Sequence, residues 1–155
     1  MARSVVDTPV GPLGLVASGS ALQSVTFNSL SGPAGRSPVL DEAARQFGAY
    51  FAGELVDFDL PLELHGTEFQ RQCWLALATI PYGQTVSYGE QARRLGLGSD
   101  RARAVGAANG ANPLPIVLPC HRVIGADRSL TGFGGGLHVK RFLLELEGAL
   151  LALDS

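Results

Sequence analysis

Three adjacent residues, Cys120, His121 and Arg122, put a thiol, an imidazole and a guanidinium at the end of the stretch N-P-L-P-I-V-L-P-C-H-R-V, residues 112–123. A thiolate is a strong nucleophile, and an imidazole within reach is a candidate to accept its proton. The chemistry open to this trio is therefore a displacement in which sulfur attacks carbon. A buried structural cysteine remains an open reading of the same residues, because free Cys is among the most buried residue types. Adjacent residues of an extended segment point to opposite sides, so Cys120 and His121 are expected to communicate through a turn or a bridging water. His121 also needs a third group to fix its tautomer, which a carboxylate from the last helix could supply.

The elements that position these groups follow from the flanking sequence. Pro113, Pro115 and Pro119 exclude a helix, since each lacks an N–H and restricts its predecessor to extended conformations. Leu114, Ile116, Val117 and Leu118 draw the segment into the core, so a rigid, buried, extended backbone is expected. Upstream, Thr67 and Gln70 form a capping box that opens a helix burying Phe69, Cys73, Trp74 and Leu77, with Pro81-Tyr82-Gly83 ending it. A second capping box, Ser87 with Glu90, starts a short helix that stops at Gly96. A third helix is expected from Asp100 to Asn109, with Gly110 as its stop. Helix, short glycine-containing turn, helix is the helix-turn-helix plan, whose second helix enters a nucleic-acid groove. That helix carries Arg101, Ala102, Arg103, Ala104 and Gly106, in which small side chains permit close approach and arginines add charge and reach. Many helix pairs of this kind never touch DNA.

Beyond the cysteine, residues 125–136 are rich in glycine and form a loop suited to close backbone approach to a ligand. The loop lacks the Gly-Lys-Ser/Thr ending of a phosphate loop, which argues against nucleotide hydrolysis. A final helix is expected over Val139–Glu147, burying Phe142, Leu143 and Leu146, with Glu145 and Glu147 on different faces. The first 65 residues contain no reactive constellation. Strands are expected within residues 4–28, with turns at Gly11-Pro12 and Ser18-Gly19-Ser20. A loop follows to Pro38, then a helix over Leu40–Phe51 and a strand over Asp57–Leu62.

The bulk composition bounds the function. The chain has 155 residues, 46% of them hydrophobic and 17% charged, ample for a core and unlike a disordered segment. The N-terminus lacks the pattern of a secretory signal and no apolar run approaches the length of a membrane span, so an intracellular, cytoplasmic chain with reduced Cys73 and Cys120 is expected. His65 and His138 stand alone, without metal-ligand spacing, and no metal is expected. The net charge of −2 hides an asymmetry: residues 1–65 carry −4, whereas Ser87–Arg141 carries +5. A polyanion would favour the latter region.

The string Pro119-Cys120-His121-Arg122-Val123 resembles the active-site signature of the O6-alkylguanine-DNA alkyltransferases. The resemblance runs through Arg101–Gly106, Asn112-Pro113, the glycine-rich loop and Glu147, and covers Phe69–Gly148. The N-terminal part resembles the family's small RNase H-like domain only in size and element order. The resemblance implies an α+β chain: an N-terminal α/β supporting domain, 1–65, and a C-terminal domain, 66–155, mostly helical with a winged-helix-like helix-turn-helix. It implies that Cys120 accepts the alkyl group irreversibly, once, after base flipping. His121 acts through a water, polarised by Glu147; Asn112 fixes the active-site segment against the recognition helix; Tyr88 donates to guanine N3. The carbonyls of Cys120 and Val123 accept from the guanine N2 amino group, and the N–H of Gly134, beside Phe133 and Gly135, meets O6. Arg103 replaces the extruded nucleotide, with Arg101, Ala102, Ala104 and Gly106 along the minor groove of double-stranded DNA. No cofactor is implied, and a monomer is expected. Phe133 stands where many members have tyrosine, and no cysteine precedes Cys73 to build the N-terminal zinc site of some relatives.

Three alternatives stay open on the residues. An alkyltransferase-like protein that binds lesions without repair would lack the nucleophile. A helix-turn-helix regulator using Cys120 as an alkylation sensor would show strong sequence preference. A cysteine hydrolase using Cys120, His121 and Glu147 would turn over an acyl substrate and ignore DNA.

Overall fold

A computed structural model describes residues 1–29 and 32–149, and the chain divides between Leu64 and His65 into two compact units. In the first unit, strands β1 (Ala2–Thr8), β2 (Gly11–Ser18) and β3 (Ala21–Phe27) form an antiparallel meander in the order β1-β2-β3. Alternation along β2 buries Leu13, Leu15 and Ala17 on one face, where helix α1 (Pro38–Phe51) packs with Ala43, Phe47 and Tyr50. The first turn lies at Pro9-Val10, and Gly11-Pro12, expected to be the turn, begins β2 instead. Gly11 has φ +98, and a Cβ there would meet the Asn28 side chain at 2.8 Å. The strand expected over Asp57–Leu62 does not form. Its backbone is occupied otherwise: Gln46 Nε2 donates to the Asp59 carbonyl and the Asp59 N–H donates to Gln46 Oε1, both at 2.8 Å. Phe58 packs between Phe47 and Tyr50, and only an isolated bridge joins Leu62 to Leu22.

In the second unit, α2 (Glu68–Leu77) opens on the complete Thr67–Gln70 capping box and buries Cys73, Trp74 and Leu77, while Phe69 stays half-exposed. It ends at Leu77, before Pro81 is reached. Strand β4 (Val86–Ser87) leads into α3 (Tyr88–Arg94), capped by the Ser87 hydroxyl accepting from the Glu90 N–H at 3.1 Å. The reciprocal half of that box is missing because the Glu90 carboxylate takes Arg93 and Arg94 instead. Gly96, at φ +78, turns the chain. The next helix begins as a single 3-10 turn, Ser99–Arg101, and becomes α-helical only at α4 (Ala102–Gly110). Gly110 lies inside α4 rather than stopping it; Ala111 caps the end, and Asn112 leads the chain away.

The α3–turn–α4 pair is locked from inside. Gln91 and Asn109 exchange side-chain hydrogen bonds, Nε2 to Oδ1 at 3.1 Å and Nδ2 to Oε1 at 2.8 Å, both residues buried. Gln91 also donates to the Cys73 carbonyl, and Trp74 Nε1 donates to the Ala108 carbonyl at 2.8 Å. Around these bonds Cys73, Ala92, Val105 and Ala108 form a core cluster, so Cys73 is a packing residue. Strand β5 (Val123–Ile124) pairs in parallel with β4, and α5 (Leu137–Leu146) follows the glycine-rich segment. Among the described residues no helix is long and apolar enough to cross a membrane.

Candidate active site

The segment that carries Cys120 is turned rather than extended, contrary to the sequence expectation. Asn112 closes its start: its Nδ2 donates to the Leu118 carbonyl at 2.8 Å and its Oδ1 accepts from the Leu114 N–H at 2.9 Å. The Leu118 N–H donates to the Leu114 carbonyl, and Pro115 bridges to Leu118. The proline-rich chain therefore doubles back on itself, with Ile116 at φ +75. A β-branched residue in the left-handed region is a true outlier costing on the order of 1–3 kcal/mol, and the burial of Ile116 holds it there. Residues Cys120–Arg122 then make one 3-10 turn, which brings three consecutive side chains out along a tight arc.

His121 and Glu147 meet inside the protein. His121 Nε2 lies 2.8 Å from Glu147 Oε2, and both side chains are fully buried. Arg122 completes the cluster, Nε donating to Glu147 Oε1 at 2.8 Å and Nη2 to Oε2 at 3.0 Å, while Nη1 takes the Ile80 carbonyl. Its guanidinium lies over the Tyr82 ring, 5.6 Å from the centroid. Burial alone would raise the Glu147 carboxyl, but the hydrogen bonds from His121 and Arg122 overcome it and hold the pKa at about 2. His121 is pushed below its ordinary value, first by burial and then by the Arg122 and Lys140 cations, against the pull of Glu147. It is therefore neutral near pH 7. A neutral ring beside an ionised carboxylate places its one proton on Nε2, facing Glu147. That leaves Nδ1 unprotonated, and Nδ1 is buried without a hydrogen-bond partner in the protein. Glu145, by contrast, is solvent-exposed and pairs with Arg141.

Cys120 is half-buried at the head of the turn. Burial pushes its thiol above the ordinary value, opposed by a hydrogen bond from Asn112 and by the Lys140 charge. On the other side of the turn, Tyr88 at the start of α3 accepts a hydrogen bond from Thr131 Oγ1 at 2.9 Å. Thr131 and Val123 are in turn joined through Lys140, which donates to both carbonyls. Thus Asn112, Cys120, His121 and Glu147 form one connected group, and Tyr88, Val123 and the glycine-rich segment a second.

Within that segment Phe133 and Gly135 are half-buried and Gly134 is exposed, with open space where a Cβ would stand. Arg103 projects exposed from α4, and Ala102, Ala104 and Gly106 lie half-buried along it. Arg101 differs: it belongs to the 3-10 turn, its guanidinium 5.9 Å from the Phe69 ring centroid. A concavity of about 270 Å³ adjoins the β4–β5 pair, lined by residues 85–87, 124–126 and Arg128, but none of the candidate residues lines it. Among the described residues no group of three His, Cys, Asp or Glu side chains is arranged to hold a metal ion.

Two family models match this chain: the 6-O-methylguanine DNA methyltransferase DNA-binding domain over residues 68–149, and the ribonuclease-like domain of the same proteins over residues 1–64. The chain belongs to the O6-methylguanine DNA methyltransferase family. Its relatives include the methylated-DNA–protein-cysteine methyltransferase of Mycobacterium tuberculosis, 50% identical over 96% of this chain and 93% of that one. That of Methanosarcina acetivorans is 45% identical over 96% and 99%. A crystal structure of Mycobacterium tuberculosis OGT in complex with DNA superposes with a TM-score of 0.87 at 48% identity, covering 99% of both chains. Within this family member, sequence reasoning missed two groups. Residue type and spacing assign no task to Arg122, which the structure places on Glu147, and do not mark out Lys140. The signal for Lys140 was present: it sits three and four residues before Leu143 and Leu144, on the apolar face of α5.

Proposed function

We propose that this protein reverses DNA alkylation directly, moving the alkyl group from O6 of guanine onto its own Cys120 in a single irreversible turnover. The Cys120 sulfur attacks the alkyl carbon; a C–S bond forms as the C–O6 bond breaks, and the base leaves as guanine. The thiol proton passes through a water to His121 Nδ1, and Glu147 offsets the imidazolium that forms. Tyr88, whose oxygen already accepts from Thr131, keeps its own O–H to donate to guanine N3. The Val123 and Cys120 carbonyls hold the N2 amino group, and Gly134, beside Phe133 and Gly135, meets O6. Asn112 braces the turn and its thiol. No further activation is needed, because the alkyl group already carries an aryl-oxygen leaving group.

The target atom is inaccessible inside a duplex, so the nucleotide is flipped out at a cost of a few kcal/mol. Arg103 fills the gap, and the small residues Ala102, Ala104 and Gly106 let α4 lie against the minor groove, with Arg101 at its entrance. A minor-groove approach suits an activity that must work in any sequence context. Residues 1–65 form the supporting domain, and the protein acts as a monomer.

One observation carries this reading: His121 Nε2 lies 2.8 Å from the buried Glu147 carboxylate, while Nδ1, one residue from the thiol, has no hydrogen-bond partner in the protein. The experiment is intact-protein mass spectrometry after incubation with an O6-methylguanine oligonucleotide. One added methyl on Cys120 without further turnover is expected, and Cys120→Ser should bind but not accept it. Methyl on Cys73, or an unrepaired oligonucleotide, would overturn the proposal.

A further inference from the structure

Among the described residues of the second unit, one buried cation has no carboxylate partner. Lys140 is fully buried on α5, and its Nζ donates to the Val123 carbonyl at 2.7 Å and the Thr131 carbonyl at 2.8 Å. Two of its three donors are thus satisfied by neutral acceptors. The Tyr88 ring from α3 lies beside it, its centroid 6.0 Å away, and the Val123 carbonyl that it holds stands three residues beyond Cys120, so that its charge is felt at Cys120 and His121. The Glu147 oxygens accept from His121 and Arg122, and no carboxylate among the described residues pairs with Lys140. A buried charge without a partner is costly, and of the groups that feel it Cys120 is the one that can become an anion.

We propose that Lys140 is a positioning residue for Cys120, supplying the positive charge that stabilises the thiolate while its two carbonyl contacts hold β5 and the glycine-rich segment to α5. The influence is mutual. Lys140 lowers the thiol against the upward push of burial, while burial brings Lys140 itself down to about 8 and the Cys120 charge opposes that fall. The Val123 carbonyl, with one lone pair committed to Nζ, keeps the other for the base. The ammonium is lost as pH rises through about 8, so the thiolate's support fades on the alkaline side.

The inference rests on Cys120 being the alkyl acceptor, but its test needs no DNA, so the two can fail separately. The rate at which iodoacetamide alkylates Cys120 in the full chain is followed against pH, with peptide mapping to exclude Cys73. Lys140→Gln keeps an amide donor and removes the charge. It should slow Cys120 alkylation about tenfold at neutral pH, where the ammonium is present, and the difference from wild type should close as pH rises through about 8. Lys140→Arg, which restores the charge, should recover most of the neutral-pH rate, a rescue that a packing role would not produce. A Lys140→Gln protein alkylated at the wild-type rate at neutral pH would overturn the proposal. Should that variant fail to fold, NMR titration of the Lys140 side chain in wild type and Cys120→Ser decides instead. A lower Lys140 midpoint in the serine variant supports the pairing, and identical midpoints refute it.

Discussion

Replacing Glu147 with glutamine removes one negative charge from a cluster sealed against water. Three hydrogen bonds reach the carboxylate, one from His121 and two from Arg122, at 2.8–3.0 Å. Glutamine keeps one acceptor and turns an NH2 toward donors, so the buried Arg122 loses one of its two bonds to the side chain and its only charge partner among the described residues. Two independent routes give the cost. A carboxyl held at about 2 instead of its ordinary 4.5 stores roughly 3 kcal/mol at neutral pH. Removing one member of a buried ion pair typically costs about 3–5 kcal/mol. The agreement sets the expected loss at about 3 kcal/mol, a large share of the ~5–15 kcal/mol a domain possesses. Trp74, the only tryptophan and almost fully buried in the second unit, reports the unfolding by fluorescence in urea. With a slope of about 1–3 kcal/mol per molar, the midpoint should fall by about 1–3 M.

The same argument fixes the pH dependence. Because the Glu147 pKa is lower in the folded state, its contribution is full above about 4.5 and is lost as pH falls toward 2. The wild-type advantage over Glu147→Gln should therefore be constant from neutral pH to about 5 and shrink over that acid window. His121, depressed on folding and neutral, adds a separate acid loss that begins near its ordinary value of 6.5. A midpoint within about 0.3 M of wild type at pH 7 would refute the reasoning, given the slopes above. So would an advantage that persists undiminished at pH 2.

Other perturbations test the frame that holds the site. Gln91→Leu strands the buried Asn109 amide and the Cys73 carbonyl, and thermal unfolding should register a loss of about 2 kcal/mol. Gly106→Ala should stabilise α4 by about 0.5–1 kcal/mol, since the new Cβ would meet only the Tyr88 ring at an ordinary 3.6 Å. The same methyl should weaken DNA binding in a mobility-shift titration; undiminished affinity would remove α4 from the groove. Arg103→Ala should slow transfer from duplex DNA while sparing the free alkylated base, and equal duplex rates would rule out the intercalating role.

Local rules made most of the second unit legible. The Thr67–Gln70 box, the Ser87 cap and Gly96 each act through a bond or a dihedral confined to a few residues, and each appears where the sequence indicates. The failures have a common cause in long-range satisfaction of backbone groups. Residues 57–62 alternate like a strand, yet Gln46, thirteen residues before Asp59, takes the hydrogen bonds a neighbouring strand would need. Prolines 113, 115 and 119 do exclude a helix, but extended geometry did not follow, because Asn112 offers the chain a side-chain partner at each end of a turn. In the site, Cys120, His121 and Glu147 could be named from type and spacing. That Nδ1 is the free nitrogen could not, because it depends on which ring nitrogen meets the carboxylate across 26 residues.

The costs borne by the second unit cluster in a short length of chain. Ile116 sits in a backbone region its side chain disfavours, Lys140 lies buried with neutral acceptors, and His121 keeps a buried nitrogen unpaired. A chain selected only for stability has cheaper choices at each position: glycine at the turn, an apolar residue on α5, a paired polar group beside Glu147. Each departure acts on the same atom. The Ile116 turn lies between Asn112 and the thiol it contacts, Lys140 opposes the thiolate's desolvation, and the open Nδ1 can take its proton. Strain that converges on one sulfur is expected where a nucleophile must be readied before its substrate arrives, and a merely structural cysteine would call for none of it.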